Sequence, residues 1–172
     1  MSAQGGAGAL PPVEKWHPEY CGEMDMVIKA DGLWLHEGTP IGRAPMVRLF
    51  STILRKDEDD YFLVTPVEKI KITVEDVPFI AVSLAVSGTG EAQQLTFKTN
   101  VGDEFIAGQE HPIWFGKGKS ALVPYGMVRA RLEAKLNRPV YYQLAEYVVQ
   151  HEGLDGVWSD GVFFAFPAGE AG

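Results

Sequence analysis

The residues of this sequence that could do chemistry are mostly carboxylates. Five of those between positions 23 and 76 are candidates for an acid and a base: Glu23, Asp25, Glu68, Glu75 and Asp76. Two carboxylates that converge in a pocket can act as general acid and general base, provided that burial raises the pKa of one of them. Most acidic residues lie on solvated surface, so these five are also typical of an ordinary polar face. The sequence leaves both interpretations open.

Other catalytic patterns are incomplete. Gly118-Lys119-Ser120 is similar to the end of a phosphate-binding loop, but Ile113 stands where that loop requires a glycine. Gly102-Asp103-Glu104-Phe105 is typical of a turn that leads into a strand with Phe105 facing inward. There is no G-x-S-x-G nucleophile motif. The single cysteine, Cys21, is more typical of a small buried apolar residue than of a nucleophile.

The histidines do not form a metal-binding pattern. No HxH, HxxxH or HExxH pattern is formed by the four histidines, His17, His36, His111 and His151, and the single cysteine cannot form a CxxC pair. Near the C-terminus, Asp155-Gly156 and Ser159-Asp160-Gly161 lack the alternating oxygen ligands of a calcium loop, and we interpret them as two tight turns. We therefore expect no metal and no cofactor.

Composition and charge exclude several classes of partner. The 172 residues are 46 % hydrophobic and 22 % charged, which is typical of a globular protein. The net charge is −8, and Lys and Arg are scattered rather than clustered, so we expect no nucleic-acid partner and no attraction to an anionic membrane.

The sequence also gives expectations for the cellular location of the protein and for its N-terminal segment. No run of about 18 apolar residues is long enough to span a membrane. One cysteine cannot form an intrachain disulfide, which fits a reducing compartment, so the expected location is the cytoplasm. Residues 1–14 are rich in small residues at their start, lack a secretory signal and are predicted to form a flexible tail.

The spacing of apolar residues and turn signals predicts the elements of the first half, residues 15–79. Two short strands should flank the turn at Ala30-Asp31-Gly32. Apolar residues at helical spacing predict a helix from Pro45 to Leu54, which should end in a solvated loop formed by the acidic residues 57–60. Further strands are predicted at 61–64 and 67–74, the second because apolar and charged residues alternate.

A similar order of signals follows in the second half, residues 80–168. Strands are predicted at 79–86, 95–97 and 105–107. A second helix should open near Pro124, with Val128, Leu132 and Leu136 on one face and Asn137 as its C-cap. Residues 141–149 fit either a helix or a strand.

Two local similarities indicate that the halves are repeats. Met46-Val47-Arg48 is matched by Met127-Val128-Arg129, and Tyr61-x-Leu63 by Tyr142-x-Leu144, both 81 residues apart. This parallel favours a strand at 141–149. The predicted fold class is α+β, with two related halves, each containing a β-hairpin, a helix and further antiparallel strands.

Several separated motifs carry a resemblance to a known family. They are Trp16 to Met26, Asp31-Gly32-x-Trp34, Pro40-Ile41-x-Arg43, Leu49-Phe50-Ser51, Leu63-Val64-Thr65-Pro66-x-Glu68 and Val74-Glu75-Asp76-x-Pro78-Phe79. In this order they resemble the proteobacterial family named domain of unknown function 1285. The resemblance implies a small cytoplasmic α+β protein with repeated motifs and a suggested link to signal transduction. It implies no catalytic residues.

Among the polar positions within these motifs, which include Cys21, the candidate ligand-binding residues are Asp25, Arg43, Thr65, Glu68 and Asp76. Arg43 precedes the first helix, where its guanidinium could join backbone amides in holding an anion. The alternative is an ion pair with Asp25, Glu68 or Asp76 that stabilises the first half.

Three functions are compatible with these features. The preferred one is a regulatory module, without catalytic activity, that binds a small ligand or a protein partner between the halves. The alternative is a small enzyme that uses paired carboxylates on an anionic substrate. The third is a homo-oligomer with an apolar interface formed by aromatic residues: Trp114, Phe115, Trp158, Phe163 and Phe164.

Overall fold

A computed structural model describes residues 10–116 and 123–167 of the chain. The segment Gly118-Lys119-Ser120 and residues 1–9 of the predicted tail lie outside this described part. The chain divides into two compact units, Met1–Pro78 and Phe79–Gly172. No helix of the described residues is both long enough and apolar enough to cross a membrane.

The first unit is a six-stranded sheet with one helix. Its elements are β1 (Tyr20–Ile28), β2 (Trp34–His36), β3 (Thr39–Pro40), α1 (Ala44–Thr52), β4 (Leu54–Asp57), β5 (Asp60–Val64) and β6 (Lys69–Val74). The strand order is β3-β2-β1-β6-β5-β4, and the central pair β1 and β6 is parallel. The predicted hairpin is confirmed, because Val27 pairs with Leu35 across a turn in which Gly32 has a φ of 93°.

The second unit contains a sheet of the same design and a smaller sheet. Its elements are β7 (Phe79–Ser87), β8 (Gln94–Thr99), β9 (Glu104–Ile106), β10 (Ile113–Gly116), β11 (Val123–Arg129), β12 (Leu132–Leu136), α2 (Arg138–Ala145), β13 (Val149–His151), β14 (Leu154–Ser159) and β15 (Val162–Ala165). The large sheet has the order β10-β11-β12-β7-β8-β9, with β12 and β7 parallel. Strands β13, β14 and β15 form the small antiparallel sheet.

The two large sheets share one topology, which confirms an α+β fold with two related halves. In each, the first strand lies at the centre, the next two continue outward to one edge, and the last three return from the other edge to the centre. The helix is placed differently, since α1 precedes the fourth strand of its sheet and α2 follows the sixth of its own.

The two sequence matches that suggested the repeat are not structurally equivalent. Met46-Val47-Arg48 lies in helix α1, whereas Met127-Val128-Arg129 lies in strand β11. Tyr61 and Leu63 lie in β5, whereas Tyr142 and Leu144 lie in α2. The spacing of 81 residues was therefore a wrong guide, although the conclusion that the halves are related is correct.

The second helix was predicted in the wrong place. Residues 123–136 form β11 and β12, in which Leu132, Ala134 and Leu136 are buried in alternation with Glu133 and Lys135. Apolar residues four apart fit a helix, but they also fit the two-residue period of a strand, and here the strand is correct.

The predictions for Asn137, for residues 141–149 and for the end of α1 are also corrected by the structure. Asn137 is the N-cap of α2 rather than a C-cap, since its Oδ1 accepts a hydrogen bond from the Val140 amide at 2.9 Å. The strand predicted at 141–149 is wrong for most of its length, because 141–145 are helical. Helix α1 is confirmed, but β4 follows it, and only Glu58 and Asp59 of the acidic run form a turn.

A buried arginine attaches the N-terminal segment to the first sheet. Arg55 on β4 is 6 % exposed, and its Nη1 donates to the carbonyls of Val13 and Trp16 at 2.7 Å each. Val13 lies in a short 3-10 helix at Val13–Lys15 and packs with Phe62 and Val64. Cys21 is exposed, so its predicted burial is wrong.

The charge of Arg55 is balanced by Asp57 through two hydrogen bonds of 2.9 Å, and Lys69 Nζ lies 2.8 Å from the same carboxylate. Burial raises the pKa of Asp57, but the hydrogen bonds and positive charges of Arg55 and Lys69 outweigh it, so the pKa lies below its ordinary value of 3.8.

We predict that Asn137→Ala lowers the free energy of unfolding by about 1 kcal/mol, because the N-cap acceptor of α2 is lost. Urea denaturation measures the change. Asn137→Asp is the control, since a carboxylate also caps and favours a helix N-terminus. Equal stability of the alanine variant and the natural protein would contradict the N-cap assignment.

We predict that Asp57→Asn destabilises the protein by about 1–3 kcal/mol at pH 7, because buried Arg55 loses its counter-charge. A lowered pKa stabilises the fold above the unfolded value of 3.8, and this contribution is lost as the pH falls through the folded value. The difference between variant and natural protein should therefore shrink below about pH 4 in denaturation curves.

Asp59→Asn makes the same chemical change on an exposed turn two residues away and should leave the pH dependence unaltered. A constant difference between Asp57→Asn and the natural protein from pH 7 to pH 2 would show that the Asp57 charge is not the cause.

Candidate functional site

The carboxylates that the sequence singles out do not form a buried pair. Asp25 on β1, Glu68 before β6 and Asp76 after β6 are all exposed. Two carboxylates can act as general acid and general base only where at least one of them is shielded from water, because this shielding raises its pKa. These three therefore do not meet the condition that the enzymatic alternative sets.

Arg43 and Thr65 occupy defined backbone positions. Arg43 is the exposed N-cap residue of α1, its side chain does not cap the helix, and it forms no ion pair with any residue of the described part. The expected pair with Asp25, Glu68 or Asp76 is thus not observed there. The hydroxyl of Thr65 accepts hydrogen bonds from the amides of Val67 and Glu68, so it stabilises a turn. A ligand-binding role for these residues stays a prediction.

The five aromatic residues considered for an oligomer interface are half-buried, and all of them except Phe164 have a described contact with another ring of the second unit. Trp114 stacks on Tyr125, and Phe115 lies against Phe166 with 4.8 Å between ring centroids. Trp158 and Phe163 form a cluster with His151. Packing within the second unit therefore explains the partial burial of these four rings. Oligomerisation stays a prediction.

The second unit contains a cavity of about 750 Å³. It lies where strands β8 and β9, the loop at 107–112 and the turn between β14 and β15 meet. Its described lining residues combine carboxylates, other polar groups and apolar groups: Thr96, Glu104, Phe105, Ile106, Gly108, Gln109, Glu110, His111 and Asp160. The volume is that of a small-molecule site.

Ser159 fixes the small sheet against the large one beside this cavity. Its side chain is fully buried, donates to the carbonyl of Ala107 at 2.7 Å and accepts from the amide of Leu95 at 2.9 Å. The side chain of Gln93 adds a hydrogen bond to the carbonyl of Trp158. These bonds bring the β14–β15 turn to the wall of the cavity.

Asp160 is held from three directions at that turn. Its φ is 52° and that of Gly161 is 80°, as in a type I′ hairpin turn. Its amide donates to the Gln93 carbonyl at 2.9 Å, and its Oδ1 accepts from Gln94 Nε2 at 3.2 Å. A Cβ atom on Gly108 would lie 3.1 Å from Asp160 Oδ2, so the missing side chain lets the carboxylate lie against the loop.

His111 is oriented by its own hydrogen bond. Nδ1 lies 3.1 Å from the Met127 carbonyl, and a carbonyl can only accept, so Nδ1 carries the proton. In the neutral ring Nε2 is then an acceptor, and it has no hydrogen-bond partner among the residues that the structure describes. The ring lies 5.9 Å from that of Phe105, which is buried beneath the cavity.

The lining is rich in acceptors and negative charge. Glu104, Glu110 and Asp160 supply carboxylates, and no described lining residue is a lysine or an arginine. Within the described part of the chain, no three His, Cys, Asp or Glu side chains are arranged to hold a metal ion. The groups that the described lining offers are therefore hydrogen-bonding groups, negative charges and apolar surface.

Sequence reasoning missed this site. The turn at Gly102-Asp103 with an inward Phe105 is confirmed, and so is the turn at Asp160-Gly161. Asp155-Gly156 lies inside β14 and is not a turn. His111 was considered only as a metal ligand, and no spacing rule joins Thr96, His111 and Asp160.

We predict that Ser159→Ala lowers the free energy of unfolding by about 1–3 kcal/mol, since a buried amide and a buried carbonyl lose their partner. Thermal and urea denaturation measure this, and Ser83→Ala, at an exposed position of β7, is the control. A loss no greater than that of the control would show that Ser159 does not hold the small sheet in place.

Comparisons with known proteins agree with the two-unit fold. Residues 11–77 match the model of "Domain of unknown function (DUF1285), N-terminal domain", and residues 78–166 match that of "Protein of unknown function (DUF1285), C-terminal domain". No curated protein matches the chain.

Two solved structures are similar to the chain. A DUF1285 family protein from Silicibacter pomeroyi DSS-3 is 45 % identical, with a TM-score of 0.89, and the match covers 95 % of this chain and 90 % of that one. A DUF1285 family protein from Shewanella baltica OS155 is 29 % identical, with a TM-score of 0.57, and the match covers 72 % of this chain and 91 % of that one.

Proposed function

The chain belongs to the DUF1285 family, and we propose that it is a regulatory module that binds a small ligand in the cavity of its second unit. The observation that carries this proposal is the cavity of about 750 Å³ between β8, β9, the 107–112 loop and the β14–β15 turn. Small-molecule sites have this size and combine apolar walls with a few fixed polar groups.

The rigidity of the lining supports binding. Thr96 and Glu104 lie on paired strands, His111 is hydrogen-bonded to a backbone carbonyl, and Asp160 is held by both Gln93 and Gln94. Side chains that are already ordered lose little entropy when a ligand binds.

A regulatory role fits the way in which the site is built. The cavity lies where the small sheet packs against the large sheet, and this packing depends on a few hydrogen bonds around Ser159. A ligand that contacts Asp160 together with Glu104 or His111 stabilises the packing of the small sheet on the large sheet. Ligand binding can act as a signal through this shift in the equilibrium.

Location and partners complete the proposal. The exposed thiol of Cys21 supports the cytoplasmic location, where thiols stay reduced. A protein partner and a site between the halves stay predictions. The enzymatic alternative lacks support in the form in which the sequence suggests it, because Asp25, Glu68 and Asp76 are exposed.

The test is a thermal-shift screen of metabolites and nucleotides with the full chain. A ligand that binds only the native protein raises its stability by about 2.7 kcal/mol at a concentration 100 times Kd. Ile106→Trp should abolish the shift of a true ligand, because Ile106 is 38 % exposed and the larger ring occupies the cavity.

Val82→Trp is the matched control, since Val82 is 44 % exposed on another strand of the same sheet and does not line the cavity. It should keep the full shift. The proposal fails if no compound raises the melting temperature, or if the shift is the same in the Ile106→Trp variant.

A further inference from the structure

We infer that residues 10–16 form a strap that opens independently of the first sheet and covers a binding surface for a protein segment of the same chemistry. The strap contains the 3-10 helix Val13–Lys15, and residues 17–19, which belong to no helix or strand, join it to β1. The inference concerns the first unit alone and goes beyond the ligand cavity of the second. Three features carry it: the few contacts that hold the strap, the arginine that bonds to it and the apolar surface beneath it.

The strap is held to the sheet by few contacts. Its described backbone hydrogen bonds all lie within the strap, and none joins it to a strand of the sheet among the residues that the structure describes. Val13 is buried, whereas its neighbours Glu14 and Lys15 are exposed. A segment with so few buried contacts opens at a lower free energy than the strands of the sheet.

Arg55 makes the described hydrogen bonds between the sheet and the strap. Its Nη1 donates to the carbonyls of Val13 and Trp16 at 2.7 Å each, while Nε and Nη2 donate to the two oxygens of Asp57 at 2.9 Å. Lys69 Nζ lies 2.8 Å from the same carboxylate, so the guanidinium stays oriented when the strap leaves. Because the acceptors on the strap are main-chain carbonyls, these bonds select a backbone conformation and no particular side chain.

The strap covers an apolar surface on β5. Val13 packs on Phe62 and Val64, and Trp16 and Ile53 lie against this cluster. With the strap in place, Phe62 is 7 % exposed and Val64 is fully buried. Opening removes Val13 and Trp16 from the surface, and an apolar patch exposed in this way is a site for association with another protein.

The partner that fits the uncovered surface has the chemistry of the strap itself. It needs an apolar residue in place of Val13, an aromatic residue three positions later in place of Trp16, and a turn that presents both carbonyls to Arg55. Such a segment competes with the tethered strap, whose effective concentration is on the order of millimolar. The apparent affinity for the partner is therefore its intrinsic affinity multiplied by the fraction of molecules in which the strap is open.

Thiol labelling of the full chain measures the opening. Val13→Cys is combined with Cys21→Ser, because Cys21 is exposed and would itself react. We expect the thiol at position 13 to react faster than a thiol introduced by Ile72→Cys, since Ile72 is 3 % exposed on β6. Low urea should leave the rate at position 13 unchanged, because opening of the strap exposes little surface. Equal rates with equal urea dependence would overturn the inference, since the strap would then open only when the sheet unfolds.

Two substitutions weaken the strap in different ways. Trp16→Ala removes an apolar contact and leaves Arg55 and its carboxylate partner in place, whereas Arg55→Lys keeps the charge but loses the forked donors. Each should speed labelling at position 13 about tenfold. His17→Ala is the matched control, because His17 is the exposed neighbour of the strap, and it should change nothing. Rates equal to that of the control in both variants would show that these contacts do not hold the strap.

A synthetic peptide of residues 10–19 tests the surface beneath the strap. It is titrated to about 5 mM into the ¹⁵N-labelled full chain, a range set by the effective concentration of the tethered strap. The amide resonances of Phe62 and Val64 are followed. We expect the peptide to bind the Trp16→Ala chain about tenfold more tightly than the natural chain, the same factor as in the labelling, because both measurements report the open fraction. The control peptide carries Val13→Asp and should not bind.

The outcomes decide between the two parts of the inference. If the peptide leaves Phe62 and Val64 unmoved in the Trp16→Ala chain, or if both peptides bind equally, the surface does not accept a second segment of this chemistry. Equal affinity of the peptide for the natural and Trp16→Ala chains would show that the strap does not compete for the surface. The metabolite screen tests the ligand cavity separately, so neither result bears on the proposed function.

Discussion

The parallel pairing of the first strand with the last is the constraint on which each large sheet depends. Strand β1 pairs with β6, and β7 with β12, although every other strand pair of these sheets is an antiparallel neighbour along the chain. Local turns can form the antiparallel hairpins, but only this parallel pairing joins the two groups of three consecutive strands in each sheet. The helix is not part of the constraint, which is why it lies before the fourth strand in one unit and after the sixth in the other.

This division explains which elements the sequence predicted. The β1–β2 hairpin and the alternating strand β6 are confirmed, because turn residues and a two-residue period are local signals. The repeat could not be located from matching residues, since Met-Val-Arg forms a helix in one unit and a strand in the other. Tertiary context decides the conformation of so short a segment. What the two units share is the order in which strands join the sheet.

The candidate site could not be predicted from local sequence signals, because tertiary structure determines which residues meet there. Its residues come from β8, β9, the loop that contains His111, and the turn that contains Asp160, which follows His111 by 49 positions (160 − 111). Only the docking of the small sheet through Ser159 brings them together. Motif reasoning drew attention to Asp25, Glu68 and Asp76, which the fold leaves exposed. Asp160, which the sequence correctly marks as part of a turn, is one of the residues that line the cavity.

Turn chemistry alone does not explain Asp160. Glu37 and Glu152 occupy the same position before a glycine in their own hairpins, with φ values of 52° and 53°, so an acidic residue there is common in this chain. All three residues are exposed, and the Oε2 atoms of Glu37 and Glu152 lie 3.9 Å and 3.4 Å from Nε2 of the adjacent His36 and His151. Asp160 differs because Gln94 and the backbone of Gln93 hold it from another strand. Its orientation is therefore determined by the tertiary structure and not by the turn alone.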